Sequence, residues 1–116
     1  MSEDASASAQ ARRICRGFPE VEERETWGRP TWRVRDRIFL MERDGPSLWM
    51  KAPPGAQELL VAADPERFFA PPYVGPKGWI GVRIDAGTDW PQIAALVARS
   101  YRLVAPKRLA RQIPEG

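Results

Sequence analysis

Apolar positions along the chain change period several times, and each change marks an element. Ala7, Ala11, Ile14, Cys15 and Phe18 recur with the spacing of one helical face, and Gly17 and Pro19 close that run. Trp32 and Val34 alternate with Thr31, Arg33 and Arg35, the two-residue period of a half-exposed strand. Asp36 marks a turn. Ile38-Phe39-Leu40-Met41 is apolar on both faces, which predicts a central strand covered by a helix on one side and by aromatics or loops on the other. Asp44-Gly45 signals a hairpin, and Leu48 to Lys51 return as the third strand of an antiparallel meander.

Pro53-Pro54-Gly55 stops that meander, and Leu59, Leu60 and Ala63 predict the apolar stripe of a short helix ended by Asp64-Pro65. The segment from Phe68 to Trp79 packs prolines, glycines, Tyr73 and Lys77 between apolar runs and reads as a stiff, presented loop. In the strand that follows, Ile80, Val82 and Ile84 face inward. Trp79, Gly81 and Arg83 take the other side, where Gly81 admits a close approach to the backbone. Asp89 with Pro91 and Gln92 predicts the capped start of the longest helix, whose buried stripe is Trp90, Ile93, Leu96, Val97, Tyr101 and Val104. A last short helix starts at Pro106 and carries Lys107, Arg108 and Arg111. Helices and strands in this order, without βαβ alternation, predict an α+β fold with helices on one face of an antiparallel sheet.

With 116 residues the expectation is one domain over 1–116, with 1–5 and 113–116 as flexible ends. The apolar runs fall far short of a membrane span, and the acidic, polar start lacks the basic and apolar stretches of a secretory signal. A cytoplasmic protein without membrane contact is therefore expected. Cys15, the lone cysteine, falls on the buried stripe of the first helix. The absence of histidine removes the usual proton shuttle and the commonest transition-metal ligand. Glu20, Glu22, Glu23 and Glu25 read as a solvated edge leading to the Trp27-Gly28-Arg29-Pro30 turn, not as a metal site.

Fifteen of the eighteen basic residues are arginine, and the net charge is +3. Arginine's planar fork suits phosphate and carboxylate, although a chain also rich in alanine, proline and glycine has the composition of GC-rich coding. Arg33, Arg35 and Arg37 gather at one hairpin. Lys51 ends the third strand, Lys77 and Arg83 lie near the stiff loop, and Lys107 and Arg108 at a carboxyl end without acidic residues between Trp90 and Pro114. With Tyr73 or Trp79 free to stack on an unpaired base, these residues are candidates for contact with DNA phosphates. Two other readings use the same chemistry. Lys51, Tyr73, Lys77, Trp79 and Ser100 or Tyr101 could enclose a pocket for a small phosphorylated or carboxylated metabolite, or the tryptophans could serve a protein-interaction surface. The two Lys77 readings differ in shape: Arg33, Arg35, Lys77 and Arg83 on one convex face favour nucleic acid, and a cleft of Lys51, Tyr73, Lys77 and Tyr101 favours the anion. No nucleophile or paired-carboxylate signature stands out, so a non-catalytic protein without cofactor is expected.

From about Phe18 to Leu109 the chain resembles the MmcQ/YjbR family of small bacterial proteins described as DNA-binding. The resemblance rests on Pro19 with Val21-Glu22-Glu23, Trp27-Gly28, Pro30-Thr31, Phe39, Lys51, the run Tyr73-Val74-Gly75-Pro76-Lys77-Gly78-Trp79, and Ser100-Tyr101. It implies a CyaY-like, frataxin-like two-layer sandwich and a DNA contact through paired wings, with no reaction and no cofactor. The iron-binding acidic ridge of frataxin is replaced here by Arg12, Arg13 and Arg16 on the first helix, which argues against iron.

Overall fold

The computed structural model describes residues 6–113. The ends 1–5 and 114–116 lie outside the described residues, and Ile113, assigned to a flexible end by the sequence, is buried. Six antiparallel strands form one sheet in the order β1-β2-β3-β4-β6-β5: β1 Val21–Thr26, β2 Arg29–Val34, β3 Arg37–Arg43, β4 Ser47–Met50, β5 Phe68–Phe69 and β6 Ile80–Arg83. Among the described residues four α-helices accompany it: α1 Ala7–Cys15, α2 Ala56–Ala63, α3 Trp90–Val104 and α4 Lys107–Ala110. The fold is α+β, with a four-strand meander where three strands were expected.

The additional strand is β1. Its sequence, Val-Glu-Glu-Arg-Glu-Thr, has no apolar alternation because it forms the outer edge of the sheet, where exposed charge protects against edge-to-edge pairing. Two of its carboxylates are nevertheless engaged: Glu22 accepts from Arg24, and Glu23 accepts from Arg12 at 2.7 and 2.8 Å and from the Trp32 indole at 3.2 Å. The hydrogen bond from Arg12 holds the Glu23 carboxyl below the usual glutamate range. At the other edge, β5 is a two-residue strand inside the stretch expected to be loop.

One face of the sheet is sealed. Trp32, Val34, Phe39, Leu40, Leu48, Met50, Ile80 and Val82 pack there against Ala11 and Cys15 of α1 and Ile93, Val97 and Tyr101 of α3. Asp89 caps α3 by accepting from the Gln92 amide at 3.2 Å, as its sequence signature predicts. Burial pushes the Cys15 thiol up to about 12. In α2 the packing departs from expectation. Ala56 is buried and Leu60 half-buried, whereas Leu59 is 74% exposed and Ala63 is exposed too. The helix turns Gln57 inward instead, and that amide has a structural task in the loop before β6.

A bulge decides how the second face is furnished. Between β2 and β3 the register passes from Trp32↔Leu40 to Arg33↔Ile38, leaving Phe39 unpaired. Phe39 and Leu40 therefore both enter the sealed core, and Ile38 and Met41 fall on the opposite face. Among the described residues no α-helix contributes to that face; Met41, Trp49 and Trp79 form a second cluster there, joined by Ile38, Phe69 and Val74.

Candidate functional site

The open face carries a cleft of about 570 Å³ lined by Trp27, Ile38, Met41, Arg43, Trp49, Tyr73, Val74 and Trp79. Its floor follows from register: Met41 on β3 faces Trp49 on β4, and Trp49 faces Gly81 on β6. The Trp49 indole donates to the Ser47 hydroxyl at 3.1 Å, and that hydroxyl donates to the Asp44 carbonyl at 2.9 Å, so a polar group buried under the floor is satisfied. Gly81 is required for close packing. A Cβ there would lie 2.3 Å from the Phe69 ring, which rests on the sheet at that point and carries the Arg83 guanidinium 4.6 Å above its centre. The close approach anticipated at Gly81 is thus that of an aromatic ring.

Two exposed aromatics stand at the mouth. Trp27 shares a two-residue turn with Gly28 between paired Thr26 and Arg29; both have positive φ, 54° and 78°, the backbone of a type I′ hairpin. Tyr73 also has positive φ, 68°. It projects from the stiff loop, where the Gly75 amide donates to the Pro71 carbonyl at 2.9 Å and the Gly78 amide to that of Gly75 at 2.8 Å. Gln57 of α2 clamps this loop by donating to the Gly75 and Trp79 carbonyls at 2.8 and 2.6 Å. Trp27 is 75% and Tyr73 85% exposed. The left-handed region costs an L-residue roughly 1–2 kcal/mol, and neither side chain recovers that by burial.

Arg43 is the charged residue of the lining. Its guanidinium carbon lies 5.0 Å from the Trp49 ring centre and 5.8 Å from that of Trp27. The carboxylates on either side of it in sequence, Glu42 and Asp44, are both taken by Arg29. Among the described residues no carboxylate pairs with Arg43.

The basic residues singled out in the sequence divide between the two ends of the sheet. Strand register brings Arg35, Arg37, Lys51 and the Lys77–Trp79 segment to the end formed by the β2–β3 turn, and puts Arg83 at the opposite end, level with Ser47. Arg33 lies on the open face opposite Ile38 and donates to the Thr26 and Thr31 hydroxyls, both at 3.1 Å. Arg35 is bound by Glu20 at 2.7 Å, a contact that holds the Glu20 carboxyl low. Arg37 reaches the Val104 carbonyl at 3.5 Å, which ties the end of α3 to the same corner, and Arg108 of α4 adds its charge to the field at Glu20. Lys77 is exposed on a 3-10 turn, and Lys107 and Arg108 are exposed on α4. Arg83 donates to the Pro65 and Glu66 carbonyls. Arg33, Arg35, Lys77 and Arg83 therefore share no single patch.

The cleft imagined around Lys51, Tyr73, Lys77 and Tyr101 does not form either. Tyr101 is fully buried between the Phe18 and Phe39 rings and donates to the Pro19 carbonyl at 2.7 Å, while Ser100 donates to the carbonyls of Lys51 and Leu96. Both are core residues. Trp79 is 6% exposed and forms cleft floor, so of the candidates only Tyr73 and Trp79 line the cleft.

The sequence profile of the YjbR family matches residues 16–103, most of the chain. The chain belongs to the YjbR family. No curated protein matches it. Among solved structures it is similar to the crystal structure of Deinococcus radiodurans protein DR2400, with domain DUF419, at 19% identity and a TM-score of 0.79 over 100% of this chain and 95% of that one. At that identity the likeness establishes a shared fold for this YjbR domain, and function has to be argued from the site.

Proposed function

We propose that this YjbR domain is a non-catalytic DNA-binding protein that takes backbone phosphates at the β2–β3 end of its sheet. The observation that carries the reading is the balance of charge there. Glu20 is bound by Arg35, and Glu22 and Asp36 by Arg24, while Arg37, Lys51, Lys77, Lys107 and Arg108 pair with no carboxylate among the described residues. Unneutralised cations at one end of a small domain attract a polyanion and release its counterions. Tyr73, exposed on the same loop as Lys77, adds a ring on which an unpaired base stacks at ~1–3 kcal/mol, so single strands are favoured over duplex.

The test is fluorescence anisotropy with a labelled single strand and the matching duplex between roughly 50 and 200 mM salt, where affinity should fall steeply. Combining Lys77→Ala with Arg37→Ala and Arg108→Ala should flatten the logarithmic salt dependence by about 0.7 per lost contact for the single strand and 0.9 for the duplex. Failure of the wild type to bind either DNA at the lower salt would remove the proposal; unchanged binding by Lys77→Ala alone would remove only that contact.

A further inference from the structure

We propose that the open-face cleft is a small-molecule site in its own right, and that its ligand is a flat aromatic ring bearing an anionic group. Three features specify that chemistry. The cavity, about 570 Å³, falls within the range of small-molecule pockets, and its floor of Met41, Trp49 and Trp79 is apolar and continuous, which suits a hydrophobic body. The mouth has Trp27 and Tyr73 on separate loops, each an exposed ring held at positive φ. A Trp-Gly pair in a type I′ turn, where Asn-Gly is the favoured choice, and a tyrosine presented outward by a proline-stiffened loop are poor solutions for folding alone. They are good ones for gripping a planar π-system, which prefers offset-stacked and edge-to-face contacts with indole and phenol rings.

The third feature is charge. Arg43 lies against the Trp49 and Trp27 rings, and Arg29 occupies the two carboxylates nearest to it in sequence. A cation so placed, with no carboxylate in the walls, leaves guanidinium N–H groups for a carboxylate or phosphate entering with the ring. A neutral ring would leave that charge uncompensated, and an ammonium-bearing one would be repelled. An aromatic carboxylic acid and a nucleotide both satisfy the requirement.

The experiment is a titration of the folded wild-type chain, followed by tryptophan fluorescence and calorimetry, with 2-naphthoate, neutral 2-naphthalenemethanol, aliphatic cyclohexanecarboxylate and adenosine 5′-monophosphate. The wild type should bind naphthoate about tenfold more tightly than the neutral alcohol, the scale of one charge-assisted hydrogen bond, and more tightly than the aliphatic acid. Arg43→Gln should erase the preference of acid over alcohol while keeping ring binding, Arg43→Lys should restore part of it, and Tyr73→Ala should weaken both aromatic probes alike. Stronger binding of the nucleotide assigns the anion as phosphate, and stronger binding of naphthoate assigns it as carboxylate. Equal affinity for naphthoate and the alcohol, survival of the preference in Arg43→Gln, or no binding of any probe at millimolar concentration would overturn the proposal. The wild-type comparison of acid with alcohol stands even if a variant fails to fold. DNA binding with an unresponsive cleft would sink this inference alone, and a responsive cleft without DNA binding would sink the nucleic-acid reading alone.

Discussion

Phe39 and Leu40 turn into a face sealed by α1 and α3, whereas Ile38 and Met41, their neighbours on the same strand, line a cleft left open to solvent. On the sealed side the central ring is enclosed and satisfied: Tyr101 packs against Phe18 and Phe39 and gives its hydroxyl proton to Pro19. On the open side three tryptophans and a tyrosine meet without a covering helix, two of them held in backbone conformations that bulky residues avoid. One sheet thus has a face optimised for burial and a face that retains exposed aromatic surface at a conformational cost. That division of labour is the mark expected of a binding surface on a rigid scaffold.

Substitutions can break the contrast from either side. The largest effect is expected on the sealed face: Phe39→Ala should lower unfolding free energy by about 3–5 kcal/mol in urea denaturation. Next comes Gly81→Ala, which drives a methyl into the Phe69 ring and should cost about 1–3 kcal/mol. In a Phe69→Ala background the same change should be nearly silent, and a double-mutant cycle reads the coupling. Trp27→Asn should act with the opposite sign, stabilising the domain by about 1 kcal/mol through a favoured Asn-Gly type I′ turn while weakening ligand capture in the cleft. Denaturation and naphthoate titration of the same variant check both halves.

The smallest effect concerns pH. Because Arg12 lowers the folded-state pKa of Glu23, the stability from this pair is present above the unfolded glutamate pKa and is lost as pH falls through the lowered one. Glu23→Gln should flatten that acid limb by no more than about 1 kcal/mol, the scale of a surface pair, and stability measured across the acidic range detects it.

Periodicity made most of the sealed face legible, because burial imposes it: the α1 stripe, the α3 stripe with its Asp89 cap, and the alternation Ile80, Val82, Ile84 all lie where their spacing put them. The apolar run Ile38–Met41 also signalled a strand apolar on both faces, one packed by helices and the other lined by aromatics. β1 escaped detection because an edge strand is not required to alternate, and its glutamates read as loop. The cleft escaped for a different reason. Its lining comes from the β1–β2 turn, the loop before β6 and two strands, β3 and β4, so no local pattern gathers Trp27, Arg43, Trp49 and Tyr73. Trp27 did leave a trace: tryptophan before glycine in a turn is an unfavourable residue in a hairpin position. Charge was legible as composition but not as pairing, since only the fold reveals that Glu20 takes Arg35 and that Arg29 holds the neighbours of Arg43.

The five tryptophans divide along the same line, with Trp27, Trp49 and Trp79 at the cleft and Trp32 and Trp90 against the sealed core. Indole N–H resonances followed by NMR during a titration with 2-naphthoate therefore test the account directly. Shifts of Trp27, Trp49 and Trp79 with Trp32 and Trp90 unmoved are the predicted result; no shift at all, or shifts led by Trp32 and Trp90, would contradict it.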